Sequence, residues 1–499
     1  MFYIFILFLL FFIAIIVAIL YLIIISLQEK NIKILPPTLT NNPSYDCILT
    51  QDTPLLSFFS SPSNIQNKQY EIQIDKQPHF QSKDKIIYIF SENNKLVSSK
   101  KIKSEDRLED LQQYFWRVRT ISHDKKSVWA NSRFYVDTKA DKKFTNLMRV
   151  PIKKVTSSDG FNVNNIIDYD DPGQLSFWQS PPPWEKEHEI TFEFSKEKYI
   201  QRIWLLSNPD VSSRDGWLKD FVFMYSLDAK KWSKIDETDI KNNDTFRNII
   251  NFKPVKAKYI KLIIKNFIGY AAQINEIIFY EKGSLSHLKI PKQDYILIIG
   301  NEHNGFTFTD LAKHVQSIAP EYEVITVPFY EISLEKLNNL TKKPSAIILS
   351  GNNADYPNLP MFEYNGEFEI IRNTHIPILG ICAGHQFLAM AYGYSRARSM
   401  GWSDISAIQS KKKITHINIV KNDPIFTEMK NNFTAPEVHS WSVVDPAKEF
   451  EVIAKSSYIQ VQKSTKRLIY GIQFHAEINV EYNQAKTLIS NFIKLIKNK

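Results

Sequence analysis

The feature that most restricts the fold is the run IPILGICAGHQFLAMAYG, residues 376–393, an apolar segment that breaks at glycine and resumes with helical spacing. Its centre, Gly380-Ile381-Cys382-Ala383-Gly384, has the G-x-nucleophile-x-G spacing of a strand-to-helix elbow. Small residues on both sides of the cysteine let the chain turn sharply enough to lift its side chain above a sheet. The helix that follows then points its N-terminal N–H groups and positive dipole end at the sulfur, which favours the thiolate. The pentapeptide alone also suits a buried cysteine beside a tight turn, because free cysteine is among the most buried residue types.

A second segment, RLIYGIQFHAE at residues 467–477, supplies what a thiol nucleophile needs. Its β-branched and aromatic run reads as a strand, and strand side chains alternate, so His475 and Glu477 are expected on one face. A base facing the thiol and a carboxylate holding the other ring nitrogen is the geometry of nucleophilic acyl transfer. An H-x-E pair alone says little, whereas the order Cys, His, Glu together with the elbow makes a triad the better reading.

With these residues in place, 293–497 resembles a class I glutamine amidotransferase domain: the elbow fits G-x-C-x-G-x-Q and GIQFHAE fits G-x-Q-F-H-P-E. AIILSGNNAD, residues 346–355, stands where that family has a strand ending in S-G-G-P, and EVHSWSV, residues 437–443, where it has a loop that contacts glutamine. The resemblance implies that Cys382 attacks the γ-carboxamide carbon, His475 carries the proton to departing ammonia and Glu477 orients His475. It further implies an oxyanion hole from the N–H of Ala383 and one from the Gly351-Asn352 turn, with Gln386, Ser440 and Trp441 holding the substrate. Two departures stand out, Asn352-Asn353 for Gly-Pro and Ala476 for Pro. A glycine could aim its N–H at positive φ without strain, so an asparagine there predicts an imperfectly formed hole.

The chain begins with 27 residues, MFYIFILFLLFFIAIIVAILYLIIISL, that carry no charged side chain and exceed the ~20 residues of a spanning helix. A transmembrane anchor over 1–27 is expected rather than a cleaved leader, because no basic n-region or small-x-small site accompanies it. Lys30 and Lys33 weakly place the remainder in the cytoplasm. The β modules that follow favour the exterior, so the side of the membrane stays open.

Residues 35–138 alternate apolar and polar positions, as in YEIQIDK and YFWRVRTIS, and so predict a β-sandwich with Tyr114 and Trp116 in its core. The segment resembles a fibronectin type III domain and reads as a spacer or protein-contact module. Residues 140–283 give a second series of strands that resembles a discoidin, or coagulation-factor type C, domain, which implies a jelly-roll sandwich whose loops bind a glycan, lipid or protein. Trp178, Trp204 and Trp232 suit its core better than a sugar-stacking surface. Asp168, Asp170 and Asp171 suit either a calcium ion or a solvated acidic turn.

From residue 293 strands and helices alternate, which predicts a C-terminal α/β domain with a mostly parallel sheet and its active groups at the carboxyl ends of the strands. His303, His314 and His375 fall outside every motif and read as structural. The whole is expected to be multidomain: an anchor, two β-sandwiches and the α/β domain.

Composition excludes several classes. The formal charge of +9 comes without a compact basic cluster interleaved with aromatics, so nucleic acid is not an expected partner. Two cysteines, Cys47 and Cys382, give neither a disulfide framework nor metal-ligand spacing, and no cofactor is called for. No P-loop occurs, so a synthetase that takes up the ammonia is expected on a separate chain. A γ-glutamyl peptide hydrolase needs no such partner and is the alternative enzyme. An inactive surface-binding scaffold is the alternative of another kind, and the Asn352-Asn353 turn is its main support.

Overall fold

A computed structural model of the chain describes residues 37–497, apart from 40–46, 50, 137–146, 170–175, 182–186, 209–214, 283–290, 304–308, 353–358, 392–395, 399–414, 440 and shorter stretches. The expected anchor at 1–27 lies outside the described residues. Among those described, no helix is long and apolar enough to cross a membrane.

The first β unit is a two-sheet sandwich. One sheet has the order Thr38–Leu39, Leu55–Phe59, Val97–Lys101, and the other Cys47–Leu49, Ala130–Val136, Gln112–Ser122, Gln69–Asp75, Ile86–Ser91. Alternation decides which faces meet. Tyr114, Trp116, Val118 and Thr120 are buried, while Phe115, Arg117 and Arg119 between them are half-exposed. Trp116 packs with Phe58, Tyr70 and Phe134, as the sequence predicts.

The second β unit is built on a sheet with the order Leu147–Arg149, Gln273–Lys282, His188–Ser207, Arg247–Phe267, Leu218–Ser226, Ser233–Lys234. Trp178 is enclosed in its core. Trp204 is also buried, but in a separate aromatic cluster that includes Phe362 from the C-terminal domain. Trp232 departs from expectation: it is half-buried, with the Lys261 ammonium 4.6 Å from its ring centroid. Asp168 accepts a hydrogen bond from Ser176, and no metal-holding group of acidic, His or Cys side chains exists among the described residues. Asp170 and Asp171 lie outside them.

The C-terminal domain carries a nine-stranded sheet among the described residues, in the order Glu323–Pro328, Tyr295–Gly300, Ala346–Leu349, Ile378–Ile381, Ile469–Ile472, Ile459–Ser464, Phe450–Lys455, Thr415–Ile419, Asn432–Ala435. The first five are parallel and the rest pair antiparallel. The expectation of a mostly parallel sheet is therefore corrected to a mixed one. The reason is connection length: between Phe450–Lys455 and Ile459–Ser464 only a few residues intervene, enough for a hairpin but not for a crossover. The parallel strands are sandwiched between two apolar clusters, one holding Ile296, Ile298, Ile348 and Phe492, the other Leu297, Ile299, Ile347 and Phe387. Each fully buried side chain of this kind contributes about 1.5–3 kcal/mol relative to exposure.

Candidate active site

The elbow forms as its spacing predicts. Strand Ile378–Ile381 ends one residue before Cys382, and helix Ala383–Ala391 begins one residue after it. Cys382 takes φ +52°, a left-handed conformation uncommon outside glycine and here imposed at the centre of the elbow. The two flanking glycines are needed for close approach. A Cβ on Gly380 would lie 2.5 Å from the Gly384 carbonyl, and one on Gly384 would lie 2.5 Å from the Leu349 carbonyl oxygen. Ala383, at the start of the helix, offers one of the N–H groups that a helix N-terminus leaves without an intrahelical partner.

His475 and Glu477 are brought to the thiol, but not on a strand. The strand ends at Ile472, and residues 475–477 form the loop at its carboxyl end, with Ala476 and Glu477 in a turn. Expected same-face alternation is replaced by a pinned loop: the Asn483 amide donates to the Ala476 and Ile478 carbonyls at 3.0 and 2.9 Å, and the His475 N–H donates to Pro436 O. This bonding holds the turn in a chain that has Ala476 where a proline is usual. His475 Nδ1 lies 2.6 Å from Glu477 Oε1, and its ring reaches the Cys382 thiol. Burial alone would lower the His475 pKa, but the Glu477 carboxylate and the Cys382 sulfur outweigh it and hold the value well above the ordinary one. The imidazolium form is thereby favoured beside the thiol.

The remaining predicted positions divide. Gly351 is buried and Asn352 half-buried beyond strand Ala346–Leu349, at the same end of the sheet as Cys382. Asn352 is not among the described residues with positive φ, so the strain expected from replacing a glycine there does not arise. Its side-chain amide donates to the Tyr364 hydroxyl at 3.0 Å. Gln386 is buried and donates to Gln473 Oε1, while Gln473 Nε2 lies 3.9 Å from Cys382 Sγ. Trp441 falls on strand Trp441–Val443, and Ser440 lies outside the described residues.

Several neighbours were not legible in the sequence. Val438 O accepts from the Cys382 thiol at 3.6 Å. Beside it the buried Glu437 accepts from Thr415 and Tyr458 and sits 3.6 Å from His439. His314, read as structural, is near enough to Glu477 to feel its charge. His303 is buried against the second β unit, and His375 is exposed.

Comparison with known proteins identifies the domains. Residues 307–495 match the model of the Glutamine amidotransferase class-I family, and residues 151–277 match that of the F5/8 type C domain. The glutamine-hydrolyzing GMP synthase subunit of Methanobrevibacter smithii is 34% identical over 176 residues, which cover 34% of this chain and 80% of that protein. The chain belongs to the class I glutamine amidotransferases. The corresponding subunits of Methanosphaera stadtmanae, 34% identical over 35% of this chain and 82% of that protein, and of Methanocaldococcus jannaschii, 32% identical over 32% and 79%, agree. The amidotransferase domain is thus preceded by an F5/8 type C domain in the same chain.

One buried acid of the amidotransferase domain makes a measurable prediction. Burial raises the Glu367 pKa to about 8, against a weaker opposing hydrogen bond from Asn301. The folded state therefore keeps a proton that the unfolded chain releases above about pH 4.3. Stability is full below that value and falls as pH rises toward 8. Glu367→Gln, neutral throughout, is expected to remove this dependence. Its melting temperature should exceed that of the wild type by a margin that widens from pH 5 to pH 8, worth a few kcal/mol at the upper end. A constant margin across thermal melts in that range would place the acid in its charged form.

Proposed function

We propose that the chain is a membrane-anchored glutaminase that releases ammonia from glutamine through a Cys382 thioester. The observation that carries this reading is the thiol raised on a left-handed elbow within reach of His475, whose other ring nitrogen is held at 2.6 Å by Glu477. In this reading Cys382 Sγ attacks the amide carbon, the carbonyl oxygen gathers charge facing the N–H groups of Ala383 and of the Gly351-Asn352 turn, and His475 delivers its proton to the leaving nitrogen. Water then enters, gives a proton to His475 and hydrolyses the thioester to glutamate. Gln386, Ser440 and Trp441 are assigned to hold glutamine in this scheme by the match of their sequence positions to the family motifs.

The names of the similar GMP synthase subunits point to glutamine as the substrate and to a separate chain as the site where ammonia is used. The order of strands in the two sheets of residues 37–136 supports the fibronectin type III reading. The F5/8 type C family match supports a glycan- or protein-binding role for the second β unit. The charge-free stretch at 1–27 supports the anchor.

The test is ammonia release from glutamine by the detergent-solubilised full chain, beside glutamate release from γ-glutamyl peptides. Glutamine turnover with little peptide cleavage is the expected result. Peptide cleavage alone would make the chain a γ-glutamyl hydrolase, and neither reaction would leave a binding scaffold. Protease shaving of intact cells reads the side of the membrane.

A further inference from the structure

The F5/8 type C domain does not merely sit beside the amidotransferase domain. Arg149, at the end of strand Leu147–Arg149, inserts into it and is almost fully enclosed. Its guanidinium makes a bidentate pair with Glu363, Nε to Oε1 at 2.8 Å and Nη2 to Oε2 at 2.6 Å, and Nη1 donates to the His303 carbonyl at 2.7 Å. Tyr280 of the same β domain donates to Glu363 Oε1 at 2.7 Å. Phe362 packs into the aromatic cluster of Trp204, Trp217 and Tyr280, with the Arg202 guanidinium 4.8 Å from its ring centroid. Charges this deeply buried are stable only when fully partnered, so the joint tolerates one geometry.

What the joint grips lies one residue from the site. The turn Met361–Tyr364 carries Phe362, Glu363 and then Tyr364, whose ring stacks on Phe329 at 3.9 Å and 3°. The Tyr364 hydroxyl donates to Asn301 O and accepts from the Asn352 amide, both at 3.0 Å. Asn301 in turn donates its N–H to Ser350 Oγ and its amide to Ser350 O, the residue before Gly351. Three segments, 301–303, 350–352 and 361–364, are therefore tied into one unit, and Arg149 holds two of them from the other domain.

We propose that the F5/8 type C domain completes the amidotransferase site, with Arg149 fixing the Met361–Tyr364 turn and Tyr364 acting as a positioning residue that aims the second oxyanion donor through Asn352. The inference rests on the proposed glutaminase chemistry and deepens it: the β domain acts on the transition state through this joint. Asn352 is then an anchor rather than a poor substitute for glycine. Asn352→Gly is expected to slow the enzyme, where a strained turn would have predicted a gain.

The experiment uses the full chain in detergent. Tyr364→Phe keeps the stacked ring and removes only the hydroxyl. A lost oxyanion donor costs about 10²–10³ in rate elsewhere, and a donor merely loosened is expected to cost about tenfold in kcat with KM within about twofold. Glutamate γ-semialdehyde, which adds to a thiol as a tetrahedral hemithioacetal, should bind about tenfold more weakly to Tyr364→Phe, while glutamine affinity in a Cys382→Ala background stays unchanged. Arg149→Met with Glu363→Met replaces both members of the buried pair, leaves Arg202 its hydrogen bond to Asn251, and is expected to fold and to show the same kcat loss. Combining all three changes should add nothing further, since they lie on one path. Wild-type kcat in Tyr364→Phe, a loss carried by KM, or multiplying effects in the triple variant would overturn the inference. A wild type that neither hydrolyses glutamine nor binds the semialdehyde would instead overturn the glutaminase reading on which it stands.

Discussion

Cys382→Ala is expected to abolish glutamine hydrolysis, a fall of at least about 10⁴-fold, while leaving the fold intact. The size follows from chemistry: without the sulfur there is no thioester, and water cannot take its place in a site built for an attached nucleophile. The fold should survive because the elbow is set by the approach of Gly380 to Gly384 and of Gly384 to Leu349, and alanine at position 382 adds no bulk to either contact. Cys382→Ser tests the same point at nearly constant volume, since a hydroxyl beside the same histidine is a far weaker nucleophile at neutral pH. Labelling provides an independent measurement. An electrophilic glutamine analogue should modify Cys382, held against His475, and spare Cys47. Retained turnover in either variant, with a native melting curve, would sink the thioester mechanism, and equal labelling of both thiols would mean reactivity by exposure alone.

Glu477→Gln carries the second-largest expected effect, a rate loss of about 10²–10⁴ that remains smaller than that of Cys382→Ala. The amide can occupy the same volume beside Nδ1 but cannot balance a charged ring. Glu477 is also the leading influence that raises the His475 pKa against burial. The stability consequence has a defined sign. A histidine whose folded pKa is raised contributes stability that is fully present below its unfolded value of about 6.5 and is lost as pH rises through the folded value. The melting-temperature gap between wild type and Glu477→Gln should therefore be wider at pH 6 than at pH 9. Indifference of the rate to this substitution would move the orienting role to another group, and His314, which faces Glu477 closely enough to feel its charge, is the next to test.

Much of the site was legible because its determinants are local. Gly380 and Gly384 specify a tight elbow by their lack of side chains, and Gly471 through Glu477 carry His475 and Glu477 within one short segment. The alternation of residues 114–120 likewise determined which faces of the first sandwich are buried. The mixed sheet was less legible, since pairing direction follows from connection lengths in a region whose strands are all short and apolar. The same-face argument expected His475 and Glu477 on a strand; they do meet, but the strand stops at Ile472, and a distant side chain, Asn483, shapes the loop that joins them.

What the sequence by itself determined is therefore the class of the C-terminal domain, because its motifs depend on residue types at fixed short spacing. Only the tertiary structure decided what surrounds those motifs. Arg149 and Glu363 are 214 positions apart, and nothing local in either marks a buried partner. Asn352 breaks a glycine pattern in the sequence, and only in the folded chain does its side-chain amide meet the Tyr364 hydroxyl. Such pairs come from the packing of one domain on another, where desolvation makes each charge demand its partner, and that demand appears only when the whole chain is folded.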